Sequence, residues 1–294
     1  AHEGITEAVL GYLESRHGAS VREESLVHLG GLVPALSLSA RGFTQPGDNL
    51  MTCTPVYYPF LHVGKDAQIA TIAIPHGKWT FDWQEMEKQV SVKTKIFILC
   101  NPQNPLGRNF SKEEVIQVAE FCHRHKLVLV SDEIHCDLVF DEDKQAFFSA
   151  LLLPDHLRQR LIVLQAPSKT YNIAGMGYAF AVIENTQVRK TFCDTRGHTL
   201  SEINCLAFYA AEAAYKYGEP WRQELLTYLK KNRDTVIDFV RSELPAGCTI
   251  PDIEATYLAL VDTRNADIKH PAQVIENNSK VWVNDGTAFG AAGQ

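Results

Sequence analysis

The stretch TKIFILCNPQNPLGRNFSKEEVIQVAEFCHRHKLVLV, residues 94–130, decides the fold class. It starts with an apolar run at 94–100 and ends with a second one at 127–130. Between them, Ser111 is followed three positions later by Glu114, the signature of a capping box at the start of a helix. Apolar residues then recur at helical spacing, at Val115, Val118, Ala119 and Cys122. The stretch therefore predicts a strand, a helix and a second strand.

The second strand, LVLV, is apolar at every position, which is typical of a strand that helices cover on both faces. From Val27 to Ala166, short apolar runs of this kind alternate with helical patterns. This order predicts an α/β fold in which a mostly parallel sheet carries helices on both faces.

A long amphipathic helix is predicted at 219–244, with Pro245 and Gly247 ending it. Its apolar face comprises Trp221, Leu225, Leu229, Val236 and Val240. The segment after the helix contains a short strand pattern, TYLALVD, at 256–262. We therefore predict a large domain over 1–232 and a smaller, incomplete C-terminal α+β domain over 233–294.

The composition of the chain excludes several classes of partner. The formal net charge of −7 leaves no basic face for a nucleic acid backbone. No apolar stretch reaches the ~20 residues that span a bilayer, and the start lacks a signal-peptide pattern. The seven cysteines form no CxxC pair, and several lie in apolar segments. This predicts a soluble protein of the cytoplasm, a reducing compartment, with neither nucleic acid nor membrane as partner.

Glycines and polar residues follow four predicted strands, at the edge where α/β sheets bind ligands. Gly30 and Gly31 follow the run at 26–29 and precede a helix, whose free N–H groups favour an anion. The later strands are followed by the loop NPQNPLG (101–107), by Asp132 with His135, and by Ser168 with Lys169.

Each of these residues has a structural explanation when taken alone. An aspartate at a strand end often caps the next turn, a histidine is by default a hydrogen-bonded structural residue, and most lysines are solvated. Together they match what pyridoxal phosphate requires: a phosphate cradle, a lysine for the Schiff base, a carboxylate for the pyridine nitrogen, and donors near the phenolic oxygen. The sequence therefore indicates a pyridoxal phosphate site with Lys169 and Asp132 as catalytic residues.

Three stretches together resemble the fold type I, aspartate aminotransferase-like, pyridoxal phosphate enzymes of the class I/II aminotransferase superfamily. They are CNPQNPLGR (100–108), SDEIHCDLVF (131–140) and APSKTYNIAG (166–175), and DEIH is typical of the branch of cystathionine β-lyases and cysteine C–S lyases. The resemblance also covers GGLVPALSLSARGFTQPGDNLMTCTPVYYPF (30–60), AAEAAYKYGEPW (210–221) and IEATYLALVD (253–262). It implies that family's fold over nearly the whole chain.

The resemblance also implies roles for individual residues. Lys169 matches the Schiff-base lysine, Asp132 the partner of the pyridine nitrogen, and Asn104 the residue that faces the phenolic oxygen. The remaining matches are His135, where many relatives have a tyrosine; Tyr57, or alternatively Tyr58, as the aromatic stacked on the ring; Gly31 and Leu32 as the backbone phosphate cradle; and Ser168 as a further hydroxyl.

Two features of the relatives lie beyond the sequence given. After a stretch like NDGTAFGAAG (284–293) they carry an arginine that binds the substrate α-carboxylate, whereas this sequence ends at Gln294. They also carry an N-terminal segment before the stretch GITEAVLGYLESRHG (4–18). On this basis we expect a chain that lacks the carboxylate-binding arginine.

The resemblance implies a pyridoxal phosphate-dependent carbon–sulfur β-lyase that takes an amino acid, cystathionine or a cysteine S-conjugate, and releases a thiol, pyruvate and ammonia. An aminotransferase using the same residues is the first alternative. A non-catalytic binding or regulatory protein of the same fold is the second, and the missing arginine favours it. The resemblance further implies a homodimer.

Other ligand classes are disfavoured. No GxGxxG follows a predicted strand, and no P-loop signature is present. His123 and His125 flank Arg124, and this spacing on a helix projects the two rings to different faces. We therefore expect no metal site.

Overall fold

A mixed sheet forms the centre of the molecule. The structure is a computed structural model that describes residues 3–64, 67–74, 79–197, 200 and 202–290. Within these residues the sheet has seven strands, β1 (Leu26–Leu29), β2 (Asn49–Thr54), β3 (Gln68–Ala73), β4 (Thr94–Cys100), β5 (Val128–Asp132), β6 (Leu161–Gln165) and β7 (Ala179–Val182). Their order is β1-β7-β6-β5-β4-β2-β3. Strand β7 is antiparallel to both of its neighbours, and the other pairs are parallel.

Helices cover both faces of this sheet. They are α1 (Glu3–His17), α2 (Leu32–Phe43), α3 (Trp83–Gln89), α4 (Lys112–Arg124), α5 (Thr186–Arg196), α6 (Cys205–Tyr217), α7 (Glu219–Glu243) and α8 (Pro271–Ser279). Side chains alternate along β4: Phe97 and Leu99 join the core beneath α1, α4 and α6, while Ile96 and Ile98 join the core beneath α2 and α5. This arrangement confirms the predicted α/β class.

The predicted strand–helix–strand unit is present, and β4 has the expected bounds. At the start of α4, Ser111 Oγ accepts a hydrogen bond of 3.2 Å from the Glu114 backbone N–H, and Glu114 Oε2 accepts one of 2.8 Å from the Ser111 N–H. This reciprocal pair is the capping box that the sequence predicts. Strand β5 continues to Asp132, two residues past the apolar run, which carries this carboxylate to the end of the sheet.

The long helix α7 is present, but its predicted apolar face is mostly not buried. Val240 is 4% exposed, whereas Trp221 is 44% and Val236 37% exposed. The helix runs without interruption through residue 232, where the sequence places the boundary between the domains. The division into 1–232 and 233–294 stays a prediction.

The prediction of a strand at 256–262 is wrong. Among the described residues, this part of the chain forms isolated bridges, Val139 with Ala255 and Thr249 with Asp262, rather than a ladder. Its backbone is instead bent at Thr256, whose φ of +72° is unusual for a β-branched residue. The bend leaves Tyr257 at the edge of the sheet rather than in a strand.

Candidate active site

The strands β1, β4, β5 and β6 end at one edge of the sheet. Cys100 pairs with Asp132 across β4 and β5, and Asp132 pairs with Leu164 across β5 and β6. A cavity of about 420 Å³ lies at this edge. Its lining includes all eight residues that the sequence proposes for the site, Gly31, Leu32, Tyr57, Asn104, Asp132, His135, Ser168 and Lys169.

Asp132 is the last residue of β5 and is 4% exposed. Its Oδ1 accepts a hydrogen bond of 3.1 Å from the Ile134 N–H. The pKa of this carboxyl is raised to about 7, mainly by burial and to a lesser extent by the charge of Glu133, while the Ile134 N–H and the Lys169 ammonium oppose the shift. A cationic or protonated ring nitrogen in the cavity would therefore stabilise the carboxylate form.

Lys169 lies four residues after the end of β6, in a turn closed by its own backbone. The Tyr171 N–H donates to the Pro167 carbonyl at 2.9 Å, and the Ile173 N–H donates to the Ser168 carbonyl at 3.1 Å. These bonds fix the backbone on both sides of the lysine. The turn thus holds the amine at the cavity rather than leaving it on a loose surface loop.

Two buried polar atoms of the lining have no hydrogen-bond partner among the described residues, Asn104 Oδ1 and His135 Nδ1. Burial, with a smaller effect of the Lys169 charge, lowers the pKa of His135 to about 3, so the ring is neutral near pH 7. Leaving a buried polar atom unpaired costs about 1–3 kcal/mol. The cavity therefore fits a ligand that offers polar groups to both residues.

The start of α2 forms the end of the cavity that carries glycines. Gly31 is the N-cap of this helix and makes no side-chain capping bond, so the first N–H groups of the helix are available to a ligand. The backbone of Gly177, with a φ of +68°, packs against the turn before the helix. A Cβ on Gly177 would lie 3.2 Å from the Gly30 carbonyl oxygen, which explains why glycine is required there.

Tyr57 and Tyr58 lie together at the mouth of the cavity. Their ring centroids are 4.9 Å apart with an interplanar angle of 60°, and both rings line the cavity. Tyr58 is 50% exposed, whereas Tyr57 is half-buried. Burial raises the pKa of Tyr57. The greater burial favours Tyr57 over Tyr58 as a stacking partner, which stays a prediction.

Several lining residues were not identified from the sequence as part of the site, among them Cys100, Tyr178, Tyr257 and Asn284. The ring of Tyr257 stands edge-on to His135, with centroids 5.7 Å apart. The stretch IEATYLALVD contained this tyrosine, but its position depends on the bend at Thr256. The expected lack of a carboxylate-binding arginine rests on Gln294, which lies outside the described residues.

Behind the cavity, Glu133 is a fully buried carboxylate next to Asp132 in the chain. It accepts four hydrogen bonds, from Ser131 Oγ at 3.0 Å, the Ala150 N–H at 2.8 Å, Ser149 Oγ at 2.7 Å and Gln165 Nε2 at 2.8 Å. Burial raises the pKa of Glu133, while these donors lower it. The four bonds join the end of β5 to β6 and to the segment at 149–150.

A group of potential metal ligands, His17, Cys136 and Asp137, lies apart from this cavity. The Tyr12 hydroxyl donates to Asp137 Oδ2 at 2.8 Å and lies 2.9 Å from His17 Nε2. Arg16 Nε donates to Asp137 Oδ1 at 3.2 Å. The carboxylate is thus already bound by two donors, one of them cationic, and we interpret the group as a structural hydrogen-bond network.

Two general features of the chain accompany the site. None of the described helices has the length and apolar character needed to cross a membrane. All seven cysteines are free thiols, and Cys53, Cys100, Cys122 and Cys136 are buried. The Cys100 thiol donates to the Pro102 carbonyl at 3.5 Å and accepts from the Asn104 N–H at 3.5 Å, so it helps to shape the loop that carries Asn104.

Comparisons with known proteins show which family the chain resembles. The cystathionine β-lyase PatB of Bacillus subtilis (strain 168) is 35% identical over 300 residues, which cover 98% of this chain and 76% of the relative. Cystalysin from Treponema denticola, whose crystal structure contains a pyridoxal 5′-phosphate cofactor, superposes with a TM-score of 0.93 at 31% identity, covering 99% of this chain and 75% of that one. The pyridoxal phosphate-bound C–S lyase from Staphylococcus hominis superposes with a TM-score of 0.89 at 30% identity, and the match covers 100% of this chain and 78% of that one. The family model for aminotransferases of class I and II matches residues 2–294. The predicted resemblance is confirmed, and the chain belongs to the class I and II aminotransferase family.

Proposed function

We propose that the protein is a pyridoxal phosphate-dependent carbon–sulfur β-lyase that acts on cystathionine or cysteine S-conjugates. The observation that carries the proposal is that Lys169 and Asp132 line the same cavity at the carboxyl edge of the sheet. The similarity to proteins named as cystathionine β-lyase and C–S lyase supports this choice of reaction.

The residues present fit the cofactor. Asn104 Oδ1 and His135 Nδ1 are buried and have no hydrogen-bond partner within the described part of the chain. The raised pKa of Asp132 means that a positive group beside it would stabilise its carboxylate form. We propose that Lys169 binds the cofactor covalently, Asp132 holds its ring nitrogen, Asn104 faces its phenolic oxygen, Tyr57 stacks on its ring, and Gly31, Leu32 and Ser168 hold its phosphate. When bound, the cofactor supplies an electron sink for the substrate α-carbon.

Asp132 and Lys169 divide the proton chemistry between them. With the cofactor bound, the Asp132 carboxylate would accept a hydrogen bond from the ring nitrogen, and its negative charge would favour the protonated form of that nitrogen. The Lys169 amine would accept the substrate α-proton as general base. Loss of that proton is followed by breakage of the Cβ–S bond, and the sulfur leaves with the bonding electrons as a thiolate.

The remaining residues orient and enclose the reactants. His135 is neutral near pH 7, so it serves as a hydrogen-bonding group and not as a second cation beside Lys169. Tyr257 and Tyr58 are each about half exposed at the cavity mouth, where they limit the access of water. The three-carbon product is released as pyruvate and ammonia after hydrolysis.

The test is to incubate the purified chain with pyridoxal phosphate and cystathionine, without any keto acid, and to measure pyruvate and thiol. Formation of both in equal amounts is the expected result, and Lys169→Ala is the control that should form neither. Reduction with borohydride should then leave cofactor mass on the peptide that contains Lys169 in the wild-type chain.

An aminotransferase is the second candidate, because the family name and the same set of residues are compatible with it. Transfer of the amino group to an added keto acid, without release of pyruvate from cystathionine, would favour it. Bound cofactor without turnover of any sulfur amino acid would instead favour a non-catalytic binding protein.

We also propose that the protein is a homodimer. One face of α6 presents Leu206, Tyr209, Ala213 and Tyr217, all exposed, while Ala207 and Ala211 on the other face are buried. A helix that is apolar on its outer face is commonly covered in an assembly. Sedimentation equilibrium should give twice the mass of the chain, and Tyr209→Glu should shift it toward the monomer. The free thiols support a cytoplasmic location.

A further inference from the structure

The sheet carries a buried acid on the face opposite the cavity, and the proposed mechanism does not use it. Val130 belongs to the core beneath α2, and Asp132, two residues later, lies on the same face. Leu129 belongs to the core on the other face, which Glu133 shares. The Glu133 N–H donates to the Leu164 carbonyl at 2.9 Å, so the ladder between β5 and β6 continues past Asp132. Asp132 and Glu133 therefore lie back to back at the same strand end.

Neutral donors make all four hydrogen bonds to the Glu133 carboxylate. Ser131 Oγ and the Ala150 N–H donate to Oε1, whereas Ser149 Oγ and Gln165 Nε2 donate to Oε2. Burial of an ionised carboxylate costs more free energy than burial of an apolar side chain of the same size, even where donors surround it. A carboxylate at this position is therefore explained better by the groups that it holds in place than by stability alone.

One of the four bonds reaches the strand that leads to the lysine. Gln165 is the last residue of β6 and is 1% exposed, and its Nε2 donates to Glu133 Oε2 at 2.8 Å. Its Oε1 is buried and has no hydrogen-bond partner among the residues that the structure describes. Reversal of the amide would place this oxygen against the carboxylate, so Glu133 fixes the orientation of Gln165. A bond kept although it leaves a buried oxygen unpaired indicates a functional constraint.

The bond between Glu133 and Gln165 joins the two strand ends that carry the proposed catalytic residues. Asp132 is the neighbour of Glu133 in the chain, and Lys169 follows Gln165 by four residues. The turn that contains Lys169 is closed by two backbone hydrogen bonds, so the lysine has little freedom relative to the end of β6. A displacement of Gln165 relative to Glu133 would therefore change the position of the Lys169 amine relative to the Asp132 carboxylate.

We propose that Glu133 and Gln165 are positioning residues, which hold the ends of β5 and β6 together beneath the cavity and so fix Lys169 relative to Asp132. The inference rests on the proposed function. Neither residue contacts substrate or cofactor in this arrangement, because both side chains lie on the face of the sheet away from the cavity. Their effect is on the step in which the Lys169 amine accepts the α-proton, and not on the affinity for the cofactor.

The test measures this proton transfer in the full chain loaded with pyridoxal phosphate. L-Alanine has no leaving group on its β-carbon, and proton NMR follows the exchange of its α-proton in D2O. We expect Gln165→Met to lower kcat for exchange roughly 10- to 100-fold, because a general base displaced by about 1 Å loses that much rate. KM for L-alanine and the dissociation constant of pyridoxal phosphate should stay within about twofold of wild type.

Ser149→Ala is the matched control, because it removes the other donor to Glu133 Oε2 but has no link to β6. It should lose stability in urea unfolding and keep the wild-type kcat. Gln165→Asn, which retains the amide on a shorter side chain, should give an intermediate kcat, and it tests the same bond if Gln165→Met is unfolded by circular dichroism.

A wild-type kcat in a folded Gln165→Met or Gln165→Asn chain would overturn the positioning role. So would an equal loss of kcat in Ser149→Ala, since the effect would then reflect weaker packing around Glu133 in general. A wild-type chain that binds pyridoxal phosphate but exchanges no α-proton contradicts the proposed function itself, and this inference with it.

Discussion

Lys169 and Asp132 line one cavity, and the positive charge of Lys169 lowers the pKa of the Asp132 carboxyl, which burial nevertheless raises to about 7. The charge of Lys169 alone therefore does not stabilise the carboxylate form of Asp132 enough to offset burial. A protonated ring nitrogen bound between the two residues would provide the additional positive charge. This relationship links cofactor binding to stability, because the same carboxylate that would hold the cofactor destabilises the chain without it.

Replacing Asp132 with Asn should stabilise the cofactor-free chain at neutral and higher pH. The folded-state pKa lies above the ordinary value of 3.8, so the folded chain binds more protons than the unfolded chain between pH 4 and 7, and stability falls as the pH rises through this window. The difference should reach on the order of 2–4 kcal/mol at pH 8 and vanish near pH 4. Urea unfolding across this range measures it.

Asn keeps an oxygen that can accept from the Ile134 N–H, so the comparison isolates the charge. With saturating pyridoxal phosphate, the order should reverse, and the wild-type chain should be the more stable one. An Asp132→Asn chain that is less stable than wild type at pH 8 without cofactor would contradict the raised pKa.

His135 should make the chain sensitive to acid. Its folded-state pKa of about 3 lies below the ordinary value of 6.5, so the unfolded chain binds more protons between these values, and stability is lost as the pH falls below 6.5. Replacing His135 with Gln removes this contribution, and the slope of unfolding free energy against pH should become shallower between pH 6 and 4. Exchange of the exposed His62 for Gln is the control and should leave the slope as it is. Equal slopes for His135→Gln and wild type would show that the ring is not held neutral.

The parts of the molecule that sequence predicts well are those whose signals are local. The unit β4-α4-β5 follows from a capping box and from strands that are apolar at every position, and these features need no knowledge of distant residues. The polar residues at the strand ends could be assigned to one site from the sequence for a similar reason, since parallel strands joined by helices end at the same edge of a sheet.

What sequence did not predict depends on contacts between distant segments. Tyr178 belongs to the cavity because β7 runs antiparallel beside β1, and no local pattern sets that direction. Tyr257 reaches the cavity through the bend at Thr256, although the surrounding residues favour a strand. For α7, amphipathicity indicates an apolar face but not what covers it, so the exposure of Val236 could not be foreseen.

Replacing Glu133 with Gln should destabilise the fold although the shape of the side chain is kept. Each carboxylate oxygen of Glu133 accepts two hydrogen bonds. In Gln, an NH₂ group replaces one of these oxygens, so the two groups that donate to it would face a donor instead of an acceptor. We expect a loss of roughly 2–4 kcal/mol in the free energy of unfolding. Denaturant unfolding measures it, and Glu120→Gln, on the exposed side of α4, is the control that should change little. A loss no larger than that of the control would mean that the four bonds contribute little.

Replacing Gly107 with Ala should weaken both the fold and cofactor binding, because this glycine joins the loop of Asn104 to the segment that carries Tyr257. The Gly107 carbonyl accepts hydrogen bonds from the N–H groups of Glu254 at 2.8 Å and Ala255 at 2.9 Å. With a φ of +71°, a Cβ at this position would lie 2.7 Å from Ile253 Cγ2 and 3.0 Å from the Ala255 carbonyl oxygen. The segment at 253–255 would have to move away, and Tyr257 with it.

We expect Gly107→Ala to lower the free energy of unfolding by about 2–4 kcal/mol, more than the ~1 kcal/mol of backbone strain alone. Its affinity for pyridoxal phosphate should fall as well. Gly47→Ala is the matched control, since Gly47 also has a positive φ, +89°, but has no atom within 4 Å of the added Cβ among the described residues. Gly47→Ala should lose only the stability that corresponds to backbone strain and should keep the wild-type affinity for pyridoxal phosphate. If both variants lose the same stability and both keep their affinity, the contact between Gly107 and 253–255 does not position the site.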